Sequence, residues 1–482
     1  MTRPWAYLNE HERTALLATV KFLNKRLTEQ GTIDWALGLK PNQRIERIAI
    51  RELLNAPGGR VLDEPWRTAW RLIDESWSNS EIEGESSTAI YGIQTRLRSG
   101  ERSGTIVAAI VKLVAPQLKV TPIDNWRWQS FKKPRRAKTF DDLLSASLTS
   151  GDLVDLGVLQ LDAQSDLPFL TALANALEAA ITHGLDIARR LGWDGQQWSW
   201  QLGELSRAYY ETTSPREAGV SSHDDDPDAY SDGIAPAVKL LHAVVARLAG
   251  LESNVALLFV RRWRLRDTPV NVRLWAAIAR NPALVSPEDV SSFLRELDDR
   301  EFWDLHSFPE IAELRAVRFD DLDQDTRKVI VKRLRKGPPR NHWPRKENKE
   351  NSEAVKVGQL YWAVRELKRI TVVAKGALSA NDESWLDEKI GQFGDLARMT
   401  TVKHGFLKAL RLSAAPTDPD SGYDSLNGEA RLQVLEAALS TQRARCRHAG
   451  PACRNKWRPA RSAPSLPAPC PHRCDRTPVA AR

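Results

Sequence analysis

The chain has 482 residues, with 70 Lys/Arg against 62 Asp/Glu for a formal net charge of +8, and its 42% hydrophobic and 27% charged residues are those of an ordinary water-facing globular protein. That balance excludes a collagen-like or low-complexity chain, and the longest apolar runs, "TIVAAIV" before Lys112 and "VALLFV" before Arg261, fall far short of the roughly 20 residues a membrane span needs. The charge is unevenly placed: residues 440–482 hold ten Lys/Arg against one acid together with all four cysteines, so residues 1–439 sit at −1 and contain no thiol. The basic pI therefore carries no nucleic-acid implication for the body, and disulfides and thiolate metal sites are excluded there.

The N-terminus, Met-Thr-Arg-Pro-Trp-Ala-Tyr-Leu, has no apolar h-region, so no signal peptide is expected. With no span either, the expected location is the cytoplasm of a bacterial-type cell. Seventeen tryptophans are many, and each offers a large apolar area with one donor to satisfy, as an anchor between helices does.

Along the chain, Leu62, Trp66, Ile73 and Trp77 share a helical face, with Trp70 one turn after Trp66. Residues 105–114 read as a buried helix stopped by Pro116. "QLKVTPI" (117–123) is a strand candidate, and the weakly alternating "LVDLGVLQLD" (153–162) reads as a hairpin arm or an extended connection. They flank a basic, aromatic loop, "WRWQSFKKPRRAK", at 126–138. A long helix follows, with Asp166 as N-cap, Pro168 in its first turn and Gly192 just past its end.

After an acidic loop at 212–233, helix starts recur at Gly233–Pro236, Thr268-Pro269, Ser286-Pro287 and Ser307–Pro309. Ser286 with Asp289 makes a capping-box-like pair. The next helix, 323–336, is expected to turn Val329, Ile330 and Leu334 inward and to end at Gly337-Pro338-Pro339. Helices of about 10–16 residues in pairs of roughly 35–45 are the rhythm of HEAT or armadillo repeats. The expected fold is all-α: a HEAT/armadillo-like helical repeat solenoid with a disordered C-terminal tail. Its expected parts are an N-terminal helical region at 1–125, a helical-repeat region at 140–345, a C-terminal helical block at 350–439 and a basic tail at 440–482.

The tail brings together Cys446, His448, Cys453, Cys470, His472 and Cys474. Zinc sites use closely spaced ligand pairs at both ends, and only "CPHRC" is tight, so no metal is expected. After "GEARLQVLEAALS" the vocabulary shifts to Arg, Pro, Ala and Cys, as in a GC-rich gene read out of frame. Seven prolines and ten cations with few large apolar groups cannot offset the entropy of ordering. Truncation of the helical array there would expose an unpaired end and promote self-association through it.

The loop at 126–138 interleaves Trp126, Trp128 and Phe131 with Arg127, Lys132, Lys133, Arg135, Arg136 and Lys138. Aromatics beside cations can stack bases and hold phosphates; the bland reading, a solvated linker whose aromatics dock on helices, is preferred. "RRWRLR" at 261–266 reads as a solvated helix face around a buried Trp263. Arg333, Arg335, Lys336, Arg340, Arg345 and Lys346 form a third basic cluster near His342. The acidic run at 223–232 lacks EF-hand ligand spacing and reads as a flexible loop rather than a cation site. Phosphate-loop, dinucleotide, zincin and nucleophile-elbow motifs are absent. The R-x4-H from Arg443 to His448 lies where arginine density produces it by chance. No catalytic residue and no cofactor is assigned.

Four stretches carry a resemblance: "FLTALANALEAAITHGLDIARRLG" with "GELSRAYYE", "VRLWAAIARNPALVSPEDVSSFLRELDDREFWD", "RKVIVKRLRKGPPR" and "LNGEARLQVLEAAL". Together, over roughly residues 60–439, they resemble the helical-repeat portions of large bacterial anti-phage-defence-type proteins of the SIR2-like or STAND-associated kind. The resemblance implies a sensor or scaffold portion without the effector. The expected function is thus a non-enzymatic scaffold that binds a protein partner; the alternative is a nucleic-acid-binding accessory protein using the 126–138 loop.

Overall fold

Helix starts in this chain are set by short polar side chains. Asp166 accepts from the Phe169 amide (3.0 Å), Thr268 from Asn271 (3.4 Å), Ser286 from Asp289 (3.2 Å) and Asp323 from Thr326 (2.8 Å), each filling an orphan donor of a first helical turn. Proline in the first turn reinforces the first three. A computed structural model of the protein describes residues 7–55, 62–79, 86–123, 136–151, 153–210, 228, 233–343 and 352–402. The expected disordered tail and the end of the 350–439 block lie outside them.

The described residues are mostly helical. The first group is α1 (Glu10–Leu23), α2 (Gln30–Leu37), α3 (Arg44–Asn55), α4 (Trp66–Asn79), α5 (Ser86–Arg98) and α6 (Gly104–Val114). An antiparallel strand pair follows, β1 (Gln117–Thr121) with β2 (Ser145–Thr149), in a register that sets Gln117 opposite Thr149 and Leu118 opposite Leu148. Next come α7 (Leu167–Arg190), α8 (Ala235–Leu251), α9 (Ser253–Arg264), α10 (Pro269–Ile278), α11 (Pro287–Glu296), α12 (Asp299–Trp303), α13 (Pro309–Val317) and α14 (Gln324–Lys336). The last are α15 (Ser352–Val373), α16 (Ala380–Ile390) and α17 (Gly394–Ala397).

Neighbours in sequence are mostly neighbours in space. α5 packs on α6, α6 on α7, α7 on α8 and α8 on α9. From α8 onward, four helices form a succession here called the inner row. α8, α10, α13 and α15 touch in succession, while α11 lies on α14 and α14 on α15. Trp70, Trp263 and Trp303 are buried to within 1%. Trp70 satisfies its one donor on the Leu27 carbonyl (2.8 Å), which is the anchoring use expected of tryptophan.

Two turns require glycine. Gly337 ends α14 at φ +73°, as the Gly-Pro-Pro sequence predicts, and Gly233 precedes α8 at φ +105°. A Cβ on Gly233 would stand 2.4 Å from the Leu202 carbonyl oxygen, so both conformation and space demand its absence.

Two expectations are corrected. Residues 153–162 form turns, not a strand: Asp155 accepts from the Val158 amide (2.7 Å) and pulls the chain out of the extended state. The true partner of 117–121 is Ser145–Thr149. Val329 is half exposed, and α14 buries Thr326, Ile330, Val331 and Leu334 instead, because the i, i+4 line through Thr326 and Ile330 sets its inner face. Among the described residues no helix is long and apolar enough to cross a membrane.

Candidate functional site

The sequence of α13, Pro-Glu-Ile-Ala-Glu-Leu-Arg-Ala-Val, has charges on several sides and leaves no wet face: every residue from Pro309 to Ala316 is buried. Burying charge is expensive unless it is paired and hydrogen-bonded. Here it is. Glu310 takes Arg273 of α10 in a two-pronged bond (Nε to Oε2 and Nη2 to Oε1, both 2.9 Å) and also accepts the Ala208 amide (2.6 Å). Glu313 takes Arg207 (2.7 Å) and Arg280 (2.9 Å) and accepts the Tyr209 hydroxyl (2.6 Å). On the far side of α13, Arg315 meets Glu366 of α15, which Arg369 also approaches (3.2 Å).

Two joints in the inner row are thus bridged by buried charge: Arg273–Glu310 between α10 and α13, Arg315–Glu366 between α13 and α15. At the head of the row, Lys239 of α8 pairs with Asp228 (2.7 Å), both essentially inaccessible. Asp228 also accepts the Ser206 amide through both oxygens (2.8 and 2.9 Å). Arg273 donates to the Leu205 and Ser206 carbonyls (2.9 and 3.1 Å), so the irregular segment 205–209 has its main-chain groups met by the same side chains.

The electrostatics follow from burial. Burial works against the Glu366 carboxylate, and the Arg369, Arg315 and Arg365 guanidiniums outweigh it, holding its pKa below the usual carboxylate range. Burial pushes the Tyr209 hydroxyl up, and the charge of Glu313 adds to it. Every carboxylate oxygen of Glu310 and Glu313 already accepts a donor, so neither is placed to take a proton from a substrate. The cluster is a frame that fixes helices.

His242 on α8 lies against this frame, its ring 5.9 Å from that of Tyr209. Its Nε2 is buried without a hydrogen-bond partner. Burial, and then the charge of Arg280, hold the imidazole pKa down to about 3. The unfolded chain binds this proton near 6.5, so the contribution is complete above pH 6.5 and is lost as pH falls through the interval down to about 3. The slope can reach ~1.4 kcal/mol per pH unit. The residue as a whole is only partly buried, so a loss of about 1 kcal/mol between pH 6.5 and 5 is expected. Urea titrations at pH 7.5, 6.5 and 5 check it: His242→Leu should flatten that decline, and an equal decline in the variant would assign it elsewhere.

Of the loop residues picked out by sequence, Trp126, Arg127, Trp128, Lys132, Lys133 and Arg135 lie outside the described residues. Arg136 and Lys138 are exposed, and Arg136 borders a cleft of about 210 Å³ together with Asp63 and Glu64. The second basic cluster is as expected, with Trp263 buried and Arg261 exposed. Its other cations are engaged: Arg262 and Arg266 with Glu178 (2.8 and 3.4 Å), Arg264 with Glu296. In the third cluster, Arg333 pairs with Asp299 (2.6 Å) and Arg335 with Asp382 (2.9 Å); Arg345 and Lys346 lie outside the described residues. Of the acidic run only Asp228 is described, and it is buried in an ion pair rather than solvated. The tail cysteines and histidines also lie outside the described residues, among which no group of three potential metal ligands occurs.

The buried charges were missed because a charged side chain reads as a surface residue. The available signal was a nine-residue segment with acids at i and i+3, a base at i+5 and no polar face. No protein-family model, curated protein or solved structure matches the chain.

Proposed function

We propose that the chain is a HEAT/armadillo-like helical scaffold that binds a protein partner, the sensor or scaffold portion of a bacterial defence-type assembly. The observation that carries this reading is the succession α8–α10–α13–α15 with a buried ion pair at two of its joints. A stack built this way keeps its shape under load, because separating neighbours would strand charges in a dry interior. Rigid rows of helices with short turns are suited to presenting an extended binding surface.

The nucleic-acid reading has less support. Five of the cations in the second and third basic clusters are already in contact with carboxylates, which reduces what they can offer a phosphate. In-cell crosslinking should recover a protein partner whose yield is insensitive to nuclease. In parallel, neutralising Lys132, Lys133, Arg135 and Arg136 in the full chain should leave its affinity for a single-stranded oligonucleotide unchanged. Salt-dependent binding that disappears with those four charges, and no protein recovered, would replace the scaffold by the nucleic-acid accessory.

A further inference from the structure

α7 and α9 both pack on α8. Arg262 of α9 reaches across to Asn175 (3.0 Å) and Glu178 (2.8 Å) of α7. Where α9 ends, a cleft of about 270 Å³ opens beside the turn into α10. Its floor is aliphatic, made by Ile181 and Leu185 of α7, Leu241 of α8 and Leu274 of α10, and Thr182 and Asp267 stand on its rim. This volume is just under the ~300–1,000 Å³ of small-molecule sites. It suits one large side chain.

An apolar track leads into it. Leu258 and Leu265 are 54% and 82% exposed, the latter the most exposed large apolar side chain among the described residues. With Arg262 they recur at i, i+4 and i+7, on one face of α9, and Arg262 shows that this face looks toward α7. A single exposed leucine needs no explanation. Two on one face, running about 10 Å toward an apolar cleft, make a surface that a partner would cover.

The charges at the mouth point to the partner's chemistry. Arg266 is engaged by Glu178 (3.4 Å) and Arg189 by Asp186 (2.7 Å). Asp267 has no ion-pair partner among the described residues. It neighbours Glu301, whose carboxyl is pushed up by burial and by the charges of Asp298 and Asp267, with Arg300 opposing. A cation arriving here would relieve that repulsion; a phosphate would aggravate it.

We infer that this groove is where the protein partner docks. The partner presents a segment in which one bulky aliphatic or aromatic residue fills the cleft and an adjacent Lys or Arg meets Asp267. The inference rests on the scaffold reading and specifies its binding site. A buried apolar anchor inside a polar rim is the arrangement that concentrates binding energy in few residues, and an amphipathic segment lying along Leu258 and Leu265 would use it in the helix-in-groove manner.

The test is selection of short random peptides, displayed on phage, on the full-length protein. Selected peptides should share a bulky apolar residue next to Lys or Arg. As synthetic peptides they should bind at least about tenfold more weakly to Thr182→Trp, which fills the cleft, and to Asp267→Lys, while both variants keep the parent melting temperature. Replacing the peptide's Lys or Arg by Glu should restore binding to Asp267→Lys. Selected peptides indifferent to both variants would overturn this site and leave the scaffold reading standing. Tryptamine binding as tightly as the peptides would make the cleft a small-amine pocket and overturn the docking inference. A library without binders, alongside crosslinking without a partner, would overturn both.

Discussion

Replacing Glu310 by alanine is expected to destabilise the protein by about 3–5 kcal/mol, the range for breaking a buried ion pair from one side. The carboxylate is wholly buried and holds three donors: two from the Arg273 guanidinium and the Ala208 amide. Alanine supplies no acceptor and leaves a cavity where the carboxylate stood. Arg273 would keep its bonds to the Leu205 and Ser206 carbonyls and its place over the Trp198 ring (4.7 Å), but its charge would have no counter-ion in a dry site. Glu310→Gln keeps the shape and one acceptor and should lose less, about 1.5–3 kcal/mol. The double variant Arg273→Met with Glu310→Leu should recover part of the loss, because it strands no charge, while the Ala208 amide and the Leu205 and Ser206 carbonyls still lose partners. Denaturant titration of the four proteins checks the series. A Glu310→Ala loss below 1 kcal/mol would mean that the joint between α10 and α13 is held by its apolar contacts alone.

What could be read from the sequence was local. The caps Asp166, Thr268, Ser286 and Asp323 act within three residues, so their helices begin where side-chain chemistry says they should. Gly337 likewise stops α14 through its own backbone freedom. What depended on distant partners was not legible. Ser145–Thr149 contains weak strand formers and becomes a strand because Gln117–Thr121 pairs with it. The stretch 153–162 alternates like a strand, yet Asp155 and Gly157 make a turn of it. The basic clusters were visible as composition, but whether a cation faces water or a carboxylate is decided by the neighbouring helix: Arg264 and Glu296 are 32 residues apart in sequence. Buried charge is the extreme case. Arg273 and Glu310 are separated by 37 residues and Arg207 and Glu313 by 106, and nothing at either end announces the other.

Asp228 offers the sharpest contrast between these two levels, and its replacement by alanine is expected to destabilise by about 3–5 kcal/mol as well. In sequence it belongs to the run Asp224-Asp225-Asp226-Pro227-Asp228, where any one carboxylate looks dispensable. In the fold its oxygens take the Lys239 ammonium (2.7 Å) and the Ser206 amide (2.8 and 2.9 Å), with both side chains closed to solvent. Lys239 stands in the first turns of α8, at the head of the inner row. Removing the carboxylate takes a counter-ion from a buried ammonium and an acceptor from a buried amide at once, and the low-dielectric surroundings set the magnitude. Asp228→Asn still offers the Ser206 amide an acceptor, so it should fall between the parent and alanine. Lys239→Met alone removes the opposite partner and leaves the carboxylate with its amide donor, which a backbone N–H stabilises well; it should cost less than Asp228→Ala. The pair Asp228→Ala with Lys239→Met should regain the ion-pair part of the alanine loss but not the part owed to the Ser206 amide, and the resulting non-additivity marks a direct interaction. Equilibrium unfolding of the parent and the four variants at neutral pH reads this order. Additive losses in the double variant would show that Asp228 and Lys239 act independently and that their ion pair does not hold the head of the inner row.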